Sequence, residues 1–396
     1  MLAKLHRITA SSLERYLAVP RRGIWQLQLT FEGLIHVTNC FSESRVVLHH
    51  HHRKTTMTTG LWVGLGAVVL AGMLQGLFAV PMKYASGWRY ENIWLVFSLF
   101  GMVVLPWLLT MATVPQTATV YSMTSAGTLF RIAGFGLCWG IGATLTGVGL
   151  TLLGIGLGMA IILGLSASLG SLIPLVVLNP QQLNTRPGHT YLLGTGIMLV
   201  GIAVCARAGM LREAAHTQAA NLARGSFLAG VTVCCLSGLF SSALNFSYAF
   251  GGEAIEHALA LRATTTWSTG VVTALAVTGG FLANFAYCAY LLTKNGTIAR
   301  FTGPGAGVAW FCGGLMGLFW FGGQSLYGLG ISHMGGLGVV IGWPLLMGMI
   351  IVTSNAAGIF TGEWSGVSVA AKRFLAGGIA IILGALAILA LAQRSA

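Results

Sequence analysis

Uncharged polar residues lie inside the long apolar stretches of the sequence, where a polar side chain needs a hydrogen-bonding partner. They include Gln75, Thr144, Thr146, Asn245, Asn284, Gln324 and Asn355. An amide donates and accepts hydrogen bonds at once, which suits the adjacent hydroxyl groups of a sugar. The alternative is that these groups bond between neighbouring helices, contributing about 0.5 to 2 kcal/mol each. The residue types therefore predict either contacts to a small polar solute or interhelical contacts.

Three tryptophans, Trp139, Trp320 and Trp343, lie inside the same apolar stretches. An indole face could cover the apolar side of a sugar ring, although packing is the commoner role of a buried tryptophan. Of the three, we expect Trp139 and Trp320 to contact a substrate. The other tryptophans near the ends of apolar stretches fit an interfacial aromatic belt; they are Trp62, Trp88, Trp94, Trp107 and Trp364.

Formal charges are scarce after Met57, where there is no aspartate and only five glutamates follow, each near the end of an apolar stretch. Lys83, Arg89 and Glu91 are close in sequence and are predicted to form a solvated, partly paired loop. The functional alternative for Glu91 is a gate or a proton-responsive carboxylate. We assign Lys83 and Glu363 to the same coupling or gating role.

Common enzyme motifs are missing from the sequence, which has no phosphate-binding Walker sequence, no Gly-x-Ser-x-Gly elbow and no His-Glu-x-x-His pair. We therefore predict no enzymatic activity, no cofactor and no metal site. Six cysteines within apolar stretches have no spacing typical of a disulfide framework or a zinc site. Any transport must draw its energy from a gradient or from the solute itself.

The elements that must position these residues are membrane-spanning helices. Of the 396 residues, 55% are hydrophobic and 7% are charged, whereas soluble domains carry about 25% charged residues. A bilayer core of about 30 Å needs about 20 apolar residues per helix, so the sequence predicts an all-α polytopic membrane protein with about ten spans. The spans are residues 60–80, 92–111, 130–150, 151–178, 191–208, 226–250, 266–292, 307–330, 335–360 and 374–392.

An internal repeat relates two halves of the chain. Placing Trp139 on Trp320 without gaps aligns Gly142 with Gly323, Gly147 with Gly328, Gly149 with Gly330 and Gly154 with Gly335. Repeats separated by an odd number of helices are inverted in the membrane, as in many secondary transporters. We therefore predict two inverted five-helix repeats, residues 57–209 and 226–396, joined by a cytoplasmic loop at 210–225.

Basic residues after Met57 are distributed unequally between the two sides of the predicted bundle. If the first span begins outside, the cytoplasmic connections hold nine Lys/Arg residues and the opposite side holds four. The positive-inside rule then places both ends of the bundle outside the cytoplasm. The net charge of +13 fits such loops, so we predict no nucleic-acid partner.

Residues 1–56 differ from the remainder, with eight Lys/Arg residues, the run His49–His52 and no apolar span. This basic tail would have to cross the membrane without an export signal. We predict that it is an extension that is disordered or not translated, and that the natural protein begins at Met57. Adjacent histidines in a polar tail rarely form a functional metal site.

Several motifs resemble a known family. Residues 76–107 read GLFAVPMKYASGWRYENIWLVFSLFGMVVLPW, WGIG occupies 139–142, RAG occupies 207–209 and GEW occupies 362–364. These motifs resemble the L-rhamnose/proton symporter family of the drug/metabolite transporter superfamily, over residues 57–396. The resemblance implies a ten-helix carrier of a bacterial-type inner membrane that imports a deoxysugar with a proton or another cation. Residues 322–355 depart from the family pattern in glycine and polar content.

Secondary transport of a small sugar is the function we predict, with the solute held between the two halves. Gln75, Asn245, Gln324 and Trp320 are the expected main contacts, and the bilayer, the sugar and a coupling cation are the expected partners. One alternative is efflux of amphipathic metabolites or drugs. The other is a membrane sensor or scaffold that does not transport.

Overall fold

The computed structural model describes residues 54–153, 155–216 and 224–394. Every regular element in these ranges is helical. The α-helices are α1 Lys54–Leu77, α2 Tyr90–Leu99, α3 Leu105–Thr113, α4 Thr117–Met123, α5 Ala126–Leu153, α6 Ile155–Leu178, α7 Arg186–His216, α8 Arg224–Ser241, α9 Ala243–Phe250, α10 Gly252–Ala260, α11 Gly270–Asn295, α12 Ala306–His333, α13 Gly338–Phe360 and α14 Val369–Arg394. Residues 1–53, which hold most of the predicted extension and the histidine run, lie outside the described residues, and the last three residues of the extension, 54–56, begin α1.

Ten segments within the described residues are long and apolar enough to cross a membrane. Span 1 is α1 with the following 3-10 turn, span 2 is α2 and α3, and spans 3, 4 and 5 are α5, α6 and α7. Span 6 contains α8, α9 and α10, and spans 7 to 10 are α11 to α14. The prediction of an all-α polytopic membrane protein with ten spans is confirmed.

Span 2 contains an irregularity that the apolar pattern did not reveal. A π-helical turn, Phe100–Val104, joins α2 to α3, and Pro106 follows at the start of α3. Proline lacks an N–H, so the Met102 carbonyl four residues earlier loses its helical partner. The Thr278 hydroxyl of span 7 lies 3.4 Å from that carbonyl oxygen and donates at 2.7 Å to a carbonyl of its own helix. Its oxygen accepts from the Trp107 indole N–H of α3 at 2.9 Å, which joins α3 to span 7. The irregular turn is therefore supported by the neighbouring span.

Glycines set the distance between crossing helices. A Cβ atom added at Gly140 in span 3 would lie 2.4 Å from the carbonyl oxygen of Gly280 in span 7. One added at Gly101 in span 2 would lie 3.1 Å from the Cα atom of Gly317 in span 8. Only glycine allows backbones to approach this closely, and in lipid such packing holds helices together.

The main helix contacts follow a regular scheme. Span 1 packs on spans 8 and 9, and span 6 packs on spans 3 and 4; span 2 packs on span 8, and span 3 packs on span 7. Span 5 packs on span 4, and span 10 packs on span 9. Three further contacts join spans that are five apart in the chain: span 2 with span 7, span 4 with span 9, and span 5 with span 10. Exchanging each span n with span n + 5 leaves this list unchanged.

Candidate functional site

A cavity of about 280 Å³ opens at the end of the bundle where spans 1, 5 and 9 end and span 4 begins; we call this end the cavity end. Its volume is close to the lower limit of about 300 Å³ for small-molecule pockets. Most of the lining is apolar. The side chains that bring polar atoms to its wall are Lys83, Arg212, Ser354, Asn355, Glu363 and Trp364.

An ion network closes part of this cavity. The Lys83 ammonium donates to Glu363 Oε1 at 2.5 Å and to the Thr361 hydroxyl at 2.7 Å. Arg212 Nη1 donates to Glu363 Oε2 at 3.1 Å. Glu363 and Lys83 are each 41% exposed, so water screens their attraction. The network ties the loop between spans 9 and 10 to the ends of spans 1 and 5.

The electrostatic surroundings keep Glu363 ionised. The hydrogen bond from Lys83, with the charges of Lys83 and Arg212, holds the pKa of the Glu363 carboxyl below its ordinary value, although partial burial opposes this shift. Lys83, Arg212 and Glu363 together give the polar end of the cavity one net positive charge. A neutral solute or an acceptor-rich group is therefore better suited to it than a cation.

Trp364 forms part of the cavity wall. The side chain is 5% exposed, and the Arg212 guanidinium lies over its ring, 5.2 Å from the centroid. The indole Nε1 has no hydrogen-bond partner among the described residues. A Cβ atom added at Gly358 would lie 3.4 Å from Nε1 and 3.0 Å from Glu363 Oε2. Glycine at 358 therefore leaves space beside an unpaired donor and a carboxylate.

Asn355 and Ser354 supply acceptor atoms to the cavity lining. Asn355 Nδ2 donates to the Ile351 carbonyl at 2.8 Å, and the Ser354 hydroxyl donates to the same oxygen at 3.2 Å. These bonds use the Ser354 hydroxyl proton and one of the two Asn355 amide protons, and they leave the lone pairs of Asn355 Oδ1 and Ser354 Oγ as acceptors. Together with Lys83 and Arg212, the cavity combines acceptors and donors, as the hydroxyl groups of a sugar require.

Gln75 and Gln324 lie beyond the cavity wall and bond to each other. Gln75 Nε2 donates to Gln324 Oε1 at 2.6 Å, and both side chains are buried. The next residue, Gly76, lines the cavity. Gln324 Nε2 has no partner among the described residues. In this conformation the pair connects spans 1 and 8 at a position adjacent to the cavity.

Asn245 is fully buried, and both of its donors are used. Its Nδ2 donates to the Gly170 carbonyl at 2.7 Å and to the Val339 carbonyl at 2.9 Å, and Oδ1 accepts from the Tyr327 hydroxyl. Nearby, Trp343 Nε1 donates to another carbonyl of span 4 at 2.9 Å. Asn245 therefore joins spans 4, 6, 8 and 9 in the half of the bundle remote from the cavity.

Trp139 and Trp320 are stacked on each other, with centroids 5.2 Å apart and planes inclined by 22°. Neither ring lines the cavity. The Thr144 hydroxyl donates to the Ile141 carbonyl of its own helix at 2.8 Å, and it too lies outside the cavity. Of the predicted site residues, the cavity brings together Lys83, Asn355 and Glu363.

Glu91 has partners other than Lys83. The carboxylate is 3% exposed and accepts from Asn295 Nδ2 at 3.0 Å and from the Thr297 hydroxyl at 2.8 Å. The predicted solvated loop with Lys83 is wrong, because Lys83 pairs with Glu363 and Glu91 is buried against the connection between spans 7 and 8. Glu91 therefore fastens the start of span 2.

Sequence reasoning missed Arg212, Ser354 and Trp364. Trp364 was placed in the interfacial belt because it follows an apolar stretch, but it is buried in the cavity wall. Its position next to Glu363 was the available signal. Arg212 was treated only as a loop charge. Among the described residues, no group of three or more His, Cys, Asp or Glu side chains could hold a metal ion.

Comparison with known proteins agrees with the family resemblance that the sequence motifs carry. A family model described as L-rhamnose-proton symport protein (RhaT) matches residues 55–395. An L-rhamnose-proton symporter of Escherichia coli (strain 55989 / EAEC) is 26% identical over 319 residues, covering 78% of this chain and 91% of the relative. One of Salmonella typhi is 25% identical over 352 residues, covering 86% and 100%. The family match includes all ten spans.

Proposed function

Because this chain belongs to the L-rhamnose-proton symport protein family, we propose that it imports L-rhamnose or a related deoxysugar by proton symport, as a multi-pass protein of the inner membrane. The observation that carries the proposal is the cavity of about 280 Å³, open at one end and lined by both donors and acceptors. A cavity of this size suits a monosaccharide. Its polar side chains match the alternating donor and acceptor needs of adjacent hydroxyl groups.

The sugar contacts in this proposal are the acceptors of Asn355 and Ser354 and the donors of Arg212 and Trp364. Trp364 is 5% exposed, and its indole N–H is buried without a partner among the described residues, so a sugar hydroxyl that reached it would satisfy it. An unsatisfied buried donor costs about 1 to 3 kcal/mol, so the ligand gains by pairing with it. Gln75 and Gln324 join the site when the helices move.

Alternating access in the proposal uses two inverted repeats, residues 57–209 and 226–396. The predicted loop at 210–225 is shorter than expected, because α7 continues to His216 and α8 begins at Arg224. Two observations support the repeats. The list of helix contacts is unchanged when each span n is exchanged with span n + 5. Trp139 and Trp320, which the repeat aligns, stack on each other. Equivalent residues of two repeats can touch only near the axis that relates them.

In the proposal, the distribution of basic residues sets the orientation of the protein in the membrane. The cavity end faces the cytoplasm, and the start of span 1 and the end of span 10 lie outside. The conformation is then open to the inside. Asn245, Tyr327 and Trp343 form the closed outer barrier, because their hydrogen bonds join spans 4, 6, 8 and 9. Outward opening requires those bonds to break.

Proton coupling in the proposal is assigned to Glu363, with Lys83 and Arg212 as its partners. In the inward-open state these cations lower the pKa of Glu363 and favour proton release to the cytoplasm. When the loop separates from span 1, the carboxyl loses Lys83 and takes up a proton more readily. Glu91 remains a gating residue of the proposal through its bonds to the connection between spans 7 and 8.

The test is uptake of radiolabelled L-rhamnose into proteoliposomes that contain the full chain, with and without an inward proton gradient. We expect accumulation that requires the gradient. Uptake at the rate of protein-free vesicles under both conditions would contradict sugar symport. Uptake that a sodium gradient stimulates, and a proton gradient does not, would contradict proton coupling alone.

One observation favours a second function, efflux of amphipathic compounds. Trp364 lines the cavity and also an apolar groove on the outer face of span 10. A single side chain therefore separates the polar interior from the lipid-facing surface. Cells that lack the protein would then become sensitive to amphipathic drugs while growth on L-rhamnose stayed normal.

A further inference from the structure

A groove with a volume of about 770 Å³ runs along the outer face of span 10, beginning at the loop that precedes it. Apart from Lys372, Ser365 and the indole edge of Trp364, its lining side chains are apolar or glycine. The apolar ones are Ile359, Leu375, Ala376, Ile379, Ala380 and Leu383. Leu383 is 47% exposed, so the groove faces the surroundings of the bundle.

The length of this groove corresponds to one leaflet of a bilayer. Lys372 and Leu383 lie at its two ends on α14, and at 1.5 Å per residue the separation is about 16 Å. Half of a hydrocarbon core of about 30 Å is nearly the same. An acyl chain that starts at the headgroup level beside Lys372 would therefore reach the bilayer midplane near Leu383.

The positive charge of Lys372 at the mouth of the groove favours an anionic headgroup. Lys372 is exposed and lines the mouth. Glu363, a carboxylate on the same loop as Trp364, is already paired with Lys83 and Arg212, so it repels a nearby phosphate little. A lysine at this level can extend its ammonium to the interface while its stem covers apolar surface.

We infer that the groove is a binding site for an anionic phospholipid, with one acyl chain along α14 and the phosphate on Lys372. The apolar length fits an acyl chain and the basic mouth fits an anionic headgroup. The lipid would also support Trp364 from the side opposite the transport cavity. This inference does not depend on which solute the cavity carries.

The test is native mass spectrometry of the purified full chain, titrated with phosphatidylglycerol or with phosphatidylcholine. We expect the wild type to retain phosphatidylglycerol in preference to phosphatidylcholine, and Lys372→Ala to weaken its retention about fivefold, as expected for one basic residue near the surface. Arg373→Ala, which removes an equal charge outside the groove lining, is the matched control and should retain the lipid.

A second pair of variants tests the acyl-chain part of the site. Ala380→Trp fills the groove and should displace phosphatidylglycerol, whereas Ala387→Trp adds the same bulk at an exposed position of α14 beyond the groove. Equal retention of the two lipids by the wild type would overturn the inference. So would a Lys372→Ala variant that behaves like Arg373→Ala, or an Ala380→Trp variant that binds like Ala387→Trp.

Discussion

The Lys83 ammonium lies 2.5 Å from the Glu363 carboxylate, although 280 positions separate the two residues. Lys83 ends span 1, and Glu363 lies in the connection between spans 9 and 10. Their contact therefore joins the first five-span half to the second at the rim of the cavity. In the proposed cycle, the loop that carries Glu363 separates from span 1 and this contact lengthens.

Replacing Glu363 tests its assignment to coupling. Glu363→Gln keeps the shape of the side chain but removes the charge, so we expect proton-driven accumulation of L-rhamnose to fall about tenfold, within the usual range of coupling between two sites. Exchange of labelled sugar without a gradient should persist. Glu256→Gln, at an exposed position outside the cavity lining, is the control. Unchanged accumulation in Glu363→Gln would reject the assignment.

The same carboxyl predicts a pH dependence of stability. The folded-state pKa of Glu363 lies below the ordinary value of 4.5. The stabilisation that its carboxylate gives the folded state is therefore complete above the unfolded pKa, and it is lost as the pH falls through the folded pKa. Exposed pairs of this kind contribute about 0.2 to 1 kcal/mol. The wild type should therefore have a higher Tm than Glu363→Gln at pH 7, and the difference should vanish below the folded pKa. A difference that grows on acidification would contradict the ion network.

Asn245 should be the most sensitive of the predicted amides. Asn245→Ala leaves the Gly170 and Val339 carbonyls without their donor and deprives the Tyr327 hydroxyl of its acceptor. We expect a loss of about 2 kcal/mol, measured as a lower thermal midpoint in detergent. Thr144→Ala removes only a bond to its own helix and should change the midpoint little. Equal effects of the two substitutions would show that the barrier does not depend on Asn245.

Gly358 offers a test of the cavity that leaves all charges in place. The Cβ atom of Gly358→Ala would come within 3.0 Å of Glu363 Oε2 and 3.4 Å of Trp364 Nε1. Because one added carbon in a pocket changes binding by about 1 to 3 kcal/mol, the KM for sugar uptake should rise about tenfold. Gly314→Ala, where an added Cβ meets no neighbour within 4 Å, is the matched control. A KM equal to that of the control would locate the sugar elsewhere.

The ten spans could be predicted because each one is an apolar stretch of sufficient length, and that property is local in the sequence. The π turn before Pro106 could not, since it depends on support from Thr278 in another span. Helix ends also differed: α5 continues to Leu153, three residues beyond the predicted boundary at 150. Apolar character continues smoothly there and does not mark where a helix stops.

The candidate site was only partly predictable, because a polar residue type does not reveal its partner. Lys83, Asn355 and Glu363 do line the cavity. Gln75 and Gln324 bond to each other, and the amide of Asn245 bonds to two backbone carbonyls and Tyr327. These partners come from distant spans, so the sequence alone left both interpretations open.

The stack of Trp139 on Trp320 is the kind of contact that two identical chains make across a dimer axis. In the proposed arrangement of two inverted repeats, the protein resembles an antiparallel dimer whose subunits have been fused into one polypeptide. The connection between α7 and α8 then serves mainly to raise the local concentration of one half around the other. Residues 1–216 and 224–396, which keep α7 and α8 whole, should therefore assemble and co-purify when they are produced as separate polypeptides in the same cell, and replacing both tryptophans by alanine should weaken that assembly.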